Sequence, residues 1–541
     1  MFGNIMIVVT VALFATKCQN KDDKTVVVTD TIVEEKVVPR NLSINKSNSY
    51  NDIFLDSGDI ENFIRTENLN DTISKSIRDF YNVRNYEYAW FSSIGLIEQA
   101  FSFHSLYSSE NETDLLNKFL ENRLDMLRSG KRHPVNERDP STIKTELQIT
   151  VRFIQYGLKN YAKLGVSAAG LGTYIPARRR IIIDFADFVL ATNSINTNYA
   201  TLNESYKLLK IPLRLYEDIE KSGGWPLITT IQNNVKVGDS NQAFVLIKKR
   251  LQITGELSGH DTTQLFNVEL ENAIKIYQSN HGFKASGQVT RNLIKDMNIS
   301  ALARVQQLLI NMQRMRWMPT EPDGLLIIVN IPEFELFVDS GKKVLFQMDV
   351  VVGAAGHHTS MFSGNLNQVV FSPYWNIPPS IVKKEIIPGI RRDENYLKKR
   401  NMEITGKEGG LPVVRQRPGE LNALGKVKFL FPNSFNIYMH DTPEKGFFNR
   451  SERGLSHGCV RLGDAPKLAY FLLRNSKIWT PEKIDSAMNS GHEKFVKLNN
   501  PVPVIITYYT SWVDNQGILK FADDIYHHDS EMANKMFLNP Q

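Results

Sequence analysis

Cysteine is nearly absent from this sequence: two residues in 541, Cys18 and Cys459. So few thiols exclude a disulfide-built scaffold and a cysteine-rich zinc site. The HExxH string of a zinc peptidase is missing as well. Two histidine pairs occur, His357-His358 and His527-His528. Adjacent residues on a strand face opposite ways, so neither pair makes a natural bidentate site. We therefore expect no metal and no cofactor. Charge of one sign is also lacking, with 64 basic against 58 acidic residues and a net charge of +6. That mild excess suits a polyanionic surface. No basic run is interleaved with stacking aromatics, so nucleic acid is not an expected partner. At 42% hydrophobic and 23% charged residues, the composition is that of a globular protein. The chain is too long for one core, and about two to four domains are expected.

The apolar run Ile5 to Ala15 is too short to span a bilayer as a helix and has the length of a signal-peptide core. Cys18 follows it, ahead of polar Gln19 to Asp23. The arrangement resembles a lipoprotein signal, in which the thiol is lipidated and becomes the new N-terminus. An uncleaved anchor or ordinary signal peptide is a second reading and a misassigned start a third, and all three export the chain to the cell envelope or periplasm. Residues 19–48 are polar and read as a flexible tether. Residues 49–242 carry apolar residues at helical spacing, for example Tyr206, Leu209, Ile211, Leu213, Tyr216 and Ile219 ahead of Gly223-Gly224-Trp225-Pro226, and predict a helical scaffold domain.

Residues 243–299 form a compact helical pattern. Leu251, Gly255, Ala273, Tyr277, Gln278, His281-Gly282-Phe283, Gly287, Val289 and Thr290 resemble a three-helix peptidoglycan-binding module; a helical unit without a ligand is the bland alternative. A linking helix is expected over 300–324, with Leu302, Val305, Leu309, Met312 and Met315 as its apolar stripe. The period then changes. Strands are expected over Leu326–Val338, Lys343–Val352, Gln368–Phe371, Ser434–Met439 and Val502–Thr510, with turns at Asp339-Ser340-Gly341 and Asp514 to Gly517. Helical insertions fit near 380–400 and 465–475, the latter opening at Asp464. The fold class is thus multidomain α+β, with a β-rich domain over 325–530. Its basic insertion, 384–433, has Gly406, Gly409-Gly410 and Gly419 as hinges of a lid over the site, or is a solvated loop.

The segment Ile437 to Leu462 carries the chemistry. A nucleophilic cysteine needs a base, oxyanion donors and access. His440 supplies the base, and Gly458 permits close approach to the backbone. The N–H groups of Gly458 and Cys459 are the expected oxyanion donors. A nearby imidazolium would lower the thiol pKa below about 8.5. His440, a spacer of fifteen residues (441–455), and Ser456-His457-Gly458-Cys459-Val460-Arg461 resemble the signature of the YkuD-type L,D-transpeptidases. Asn330-Ile331-Pro332, Val352-Gly353, Phe371 to Pro378, Lys384-Glu385, Asn311 to Trp317 and Phe521 to Tyr526 resemble their large, scaffold-bearing subgroup. Thr359-Ser360-Met361 departs from the more usual Thr-Pro.

The resemblance implies Cys459 as nucleophile and His440 as proton donor and acceptor. It implies that the carbonyl of Asp441 orients the imidazole and that His457 supports. Arg461, Ser456, Tyr438 and Trp375 are the expected substrate contacts. The implied substrates are peptidoglycan stem peptides, as donor and acceptor, and carbapenems are implied inhibitors. The implied reaction is 3→3 cross-linking through a thioester. The residues alone support cysteine-dependent acyl transfer, so an L,D-carboxypeptidase, a cell-wall cysteine peptidase and an inert wall-anchoring lipoprotein stay open.

Overall fold

The computed structural model describes residues 37–110, 118–129, 134–161, 171, 175–191, 204–229, 235–317, 324–341, 343–433 and 435–538. Cys18, the apolar run before it and residues 19–36 of the expected tether lie outside these. No helix among the described residues is long and apolar enough to cross a membrane. The end of the expected tether is not free. Val38 donates its N–H to Asp79 at 2.7 Å, its carbonyl accepts from the Asn82 side chain at 2.8 Å, and Ile44 is 2% exposed. The polar composition of this stretch serves asparagine-capped turns rather than solvation alone.

The N-terminal half is helical, with Ser57–Thr66, Asp71–Asn82, Glu98–Glu110, Lys118–Ser129 and Pro140–Tyr161 as its first helices. A two-stranded hairpin, β1 (Phe91–Ser92) and β2 (Gly95–Leu96), interrupts them. Aromatic rings fill the centre: Trp90 stacks on Phe103 at 5.5 Å, and Phe153 meets both edge-on. In the helix Lys210–Lys221, Leu213, Tyr216 and Ile219 face inward as expected, and Leu209 before it is buried too. Ile211 does not; it lies on the opposite side and is 76% exposed.

The helix Ala301–Met315, capped by Ser300, is no mere connector. It is buried on almost every side, and with Trp317 it belongs to the same aromatic and aliphatic core. The C-terminal helix His528–Met536 returns to this core as well, through Met532 and Met536.

Three helices, Gln242–Thr254, Val268–Asn280 and Arg291–Met297, enclose a separate core around Phe244, Leu251, Leu270, Tyr277 and Leu293. Gly255 caps the first with φ +88° and Gly282 follows the second with φ +72°, the left-handed geometry glycine adopts without strain. Several residues that carried the resemblance here are interior. Tyr277 is fully buried and stacks on His281 at 3.7 Å, and His281 stacks on Phe521 at 5.1 Å. The Gln278 side chain is spent on Gly287 N–H and Gln288 O.

The β-rich part holds a sheet of nine strands: β3 (Leu325–Asn330), β4 (Glu335–Ser340), β5 (Lys343–Gly353), β6 (Phe362–Phe371), β10 (Val427–Leu430), β11 (Met439–His440), β12 (Gly454–Ser456), β13 (Val460–Leu462) and β14 (Lys494–Thr507). Their order is β12-β5-β13-β11-β10-β6-β14-β3-β4. The sheet curls back on itself. Long β5 pairs with β4 through Lys343–Asp349, with β13 at Val350 and Val351, and with β12 at Val352 and Gly353. The expected strand Leu326–Val338 is two strands. Pro332 supplies no ladder N–H and Phe334 turns to φ +59°, so the chain reverses there. The expected strand Ser434–Met439 shrinks to its last residue plus His440. The Asn433 side chain accepts from Phe435 and Ile437 N–H and donates to two carbonyls, holding an irregular loop instead.

The insertion has its own framework. β7 (Trp375–Asn376), β9 (Leu411–Gln416) and β8 (Met402–Glu408) form a sheet over a small core of Ile377, Ile381, Val382, Ile386 and Val414. Gly409-Gly410 are its tight β8–β9 turn, at φ +53° and +81°, rather than hinges. The expected insertion also ran too far, since Val427–Leu430 already belongs to the main sheet as β10. The last hairpin, β15 (Ser511–Val513) and β16 (Leu519–Phe521), turns at Gly517 as expected.

Candidate active site

Strand alternation assembles the site. β11 and β13 run parallel, with Met439 beside Val460 and His440 beside Arg461. Met439, Val460 and Leu462 point into the apolar core. Alternation therefore sends Tyr438, His440, Cys459 and Arg461 to the other face together. The Tyr438 and His440 rings lie 5.7 Å apart.

His440 is 4% exposed, and its Nδ1 lies 2.5 Å from the Asp441 carbonyl. Nδ1 is then the protonated nitrogen and Nε2 the basic one. Burial drives its pKa down to about 4, and the charges of Arg461 and Lys428 add to this; the Asp441 carbonyl and carboxylate oppose it. The Asp441 side chain braces the surroundings, accepting from Lys426 N–H at 2.9 Å and Lys445 Nζ at 2.8 Å.

Cys459 is partly open to solvent at its surface. Its thiol faces the Asn436 carbonyl at 3.9 Å, where Asn436 is held at φ +55°. Burial of the sulfur raises its pKa to about 11, although Tyr438 N–H, the Tyr438 hydroxyl and Arg461 favour the thiolate. The Trp375 indole in turn supports the Tyr438 hydroxyl. Trp375, Tyr438 and Cys459 thus form one chain from the edge strand β7 to the sulfur. No hydrogen bond links thiol and imidazole among the described residues. The expected imidazolium-activated thiolate is not the resting state, because burial penalises both charged forms and leaves the pair neutral.

Gly458, at φ +115°, makes the turn into Cys459. Its N–H does not serve an oxyanion as expected, because it donates to Ser456 Oγ at 3.1 Å. That hydroxyl donates to Cys459 O at 2.6 Å. Ser456 is 3% exposed, so it braces the turn and offers a substrate nothing. His457 is exposed; its Nε2 meets Glu385 of the insertion at 3.0 Å, and its ring lies 5.3 Å from His357. Arg461 pairs with Glu444 at 2.8 Å and lies over Phe447 at 5.5 Å.

The paired histidines mix in space. His358 stacks on Tyr526 at 4.1 Å and meets His528 at 5.6 Å. Among the described residues no group of three or more His, Cys, Asp or Glu side chains could hold a metal ion.

The loop before β6, where Thr359-Ser360-Met361 departs from the usual Thr-Pro, abuts the nucleophile's turn. Gly353 makes room for it: a Cβ there would lie 2.0 Å from His357 O and 2.7 Å from Thr359 N. Both contacts are backbone and cannot rotate away. Gly353→Ala is accordingly expected to lower the unfolding midpoint and to slow any reaction of Cys459 that depends on this loop. Thermal melts beside single-turnover kinetics check it, and wild-type values for both would contradict it.

A family model for the L,D-transpeptidase catalytic domain (YkuD) matches residues 325–504, and one for the Scaffold domain matches residues 75–213. A Haemophilus influenzae protein named "Putative L,D-transpeptidase" is 29% identical over 400 residues, which span 70% of this chain and 78% of that protein. Among solved structures, an L,D-transpeptidase (Yku) from Stackebrandtia nassauensis is 13% identical, covers 52% of this chain and 97% of its own, and has a TM-score of 0.22. An L,D-transpeptidase from Mycobacterium smegmatis is 14% identical, covers 34% of this chain and 58% of its own, and has a TM-score of 0.19. The chain thus carries a YkuD-type L,D-transpeptidase catalytic domain over residues 325–504, preceded by a Scaffold domain over residues 75–213.

Proposed function

We propose that this protein cross-links peptidoglycan stem peptides 3→3 through a thioester on Cys459, with His440 as proton carrier. One observation carries the reading. A thiol and a buried neutral imidazole share one face of adjacent strands, and the imidazole keeps Nε2 free because Nδ1 is engaged by Asp441 O. The thiol proton passes to Nε2 as Sγ bonds to the carbonyl carbon between the third-position diamino acid and D-Ala. The tetrahedral oxyanion then collapses, the C–N bond breaks, and the Nε2 proton leaves with the D-Ala amine. The side-chain amine of a second stem attacks the thioester, gives its proton to Nε2, and displaces the sulfur, which is reprotonated. Water in place of that amine would make the protein an L,D-carboxypeptidase.

Arg461, Tyr438 and Trp375 rim the thiol and are our candidates for substrate contact. We read the insertion as a cap, since β7 and Glu385 bring it to Tyr438 and His457. A substrate outside the cytoplasm fits the lipoprotein-type signal ending at Cys18. Muropeptide analysis of cells expressing wild type or Cys459→Ala tests the reading. The wild type should yield 3→3 dimers and the variant none. New tripeptides without dimers would point to a carboxypeptidase, and unchanged muropeptides would leave an inert wall-anchoring protein.

A further inference from the structure

The reaction above needs a donor for the oxyanion, and the turn around Cys459 has only one to give. The Gly458 N–H is taken by Ser456 Oγ. No intramolecular acceptor meets the Cys459 N–H among the described residues. What aims that N–H lies outside the signature segment. The Gly458–Cys459 peptide is trans, as are all the described peptide bonds. In a planar trans peptide the N–H points opposite to the C=O, so whatever fixes the Gly458 oxygen also fixes the Cys459 N–H.

Thr359 fixes that oxygen. Its Oγ1 accepts from Gly353 N–H at 2.9 Å and donates to Gly458 O at 2.8 Å. A hydroxyl has a single hydrogen, and the Gly353 donor leaves it no choice of direction. The Tyr526 hydroxyl locks the other side, donating to Gly353 O at 2.6 Å and accepting from Thr359 N–H at 3.3 Å. Tyr526 is itself held, since its N–H donates to the Tyr508 hydroxyl at 2.8 Å. Thr359 is 2% and Tyr526 4% exposed, so neither hydroxyl is placed there for solvent.

We propose that Thr359, braced by Tyr526 and the Gly353 peptide, is a positioning residue that aims the Cys459 N–H at the oxyanion of the tetrahedral intermediate. This rests on the reading that Cys459 is the acylated nucleophile. Two reactions of the same thiol in the purified full chain separate aiming from folding. Acylation by a carbapenem passes through an oxyanion, whereas alkylation by iodoacetamide does not. Loss of one oxyanion donor costs about 10²–10³-fold, and a misaimed donor should cost a good part of that.

Thr359→Val, which keeps the shape and loses the hydroxyl, should slow acylation at least tenfold, followed by mass spectrometry. Its alkylation rate should stay within twofold of wild type, and Thr359→Ser should recover most of the acylation rate. Tyr526→Phe should show the same selectivity in milder form, and serves alone if Thr359→Val does not fold. Equal acylation of Thr359→Val and wild type would overturn the inference while leaving Cys459 as the nucleophile. A parallel fall in both reactions would overturn it too, by making Thr359 merely structural. A wild type never acylated at Cys459 would overturn the underlying reading, and the inference with it.

Discussion

His440→Asn is expected to lower kcat/KM for stem-peptide turnover by about 10²–10⁴-fold, the usual worth of a positioned general base. The asparagine amide can still donate to the Asp441 carbonyl, so the strand end stays tethered while the base is lost. His457→Ser, by contrast, should keep most of the activity, because that imidazole is exposed and turned toward Glu385. If the two outcomes were exchanged, the base assignment would be wrong.

The pH dependence follows from the same burial. With its pKa near 4 rather than 6.5, His440 remains a neutral base through the mildly acid range. The acid limb of kcat/KM should therefore fall near pH 4 and not near 6.5. The thiol, pushed up to about 11, should alkylate ever faster as pH rises, without a plateau from pH 5 to 8. A plateau there would reveal a standing thiolate–imidazolium pair and contradict a neutral resting state. Stability carries the opposite cost. The unfolded chain takes up the His440 proton first, so this group takes nothing from stability above about pH 6.5 and takes progressively more down to about 4.

What could be read from the sequence was local. The nucleophile, the base and their spacing lie within twenty residues, and strand alternation does the rest. Asp464 caps its helix as its side chain suggests, accepting from Lys467 N–H. The closed sheet was harder to read. It depends on long β5 serving three partners, and a pattern of alternating residues carries no record of which strands lie beside it. The Phe334 reversal inside an apolar run was missed for a similar reason, since hydrophobicity continues unbroken through a turn that is itself buried. At the site, the sequence suggested two backbone donors near Cys459, but only geometry shows that Ser456 takes one. Thr359 and Tyr526 lie 100 and 67 positions from Cys459 in the chain. Their hydroxyls meet at Gly353 because β5 and the C-terminal segment converge there, a meeting written in no single stretch.

Arg314→Met should destabilise the protein by about 3–5 kcal/mol, the cost of stranding buried partners of a lost charge. The guanidinium, with its side chain 4% exposed, reaches from the helix Ala301–Met315 to two carboxylates. One is Glu98, 2.8 Å away at the start of a scaffold helix, and the other is Asp529, at the start of the C-terminal helix. It also lies over the Tyr508 ring at 5.2 Å, and Thr510 donates to Asp529 at 2.5 Å. Methionine would fill much of the volume but leave both carboxylates facing apolar surroundings without a counter-charge. Adding Glu98→Gln and Asp529→Asn to Arg314→Met should therefore recover part of the loss, which a simple packing defect would not. Denaturant titration followed by the fluorescence of Trp90 and Trp317, whose rings lie 6.3 Å apart in the same core, measures both. A change below about 1 kcal/mol in Arg314→Met would place this triad with the exposed ion pairs that contribute little. Asp529 lies three residues beyond Tyr526, and Tyr508 holds the Tyr526 N–H. The same substitution should therefore slow Cys459 acylation before global unfolding, because the cation that joins Glu98 to Asp529 also steadies the support of Thr359.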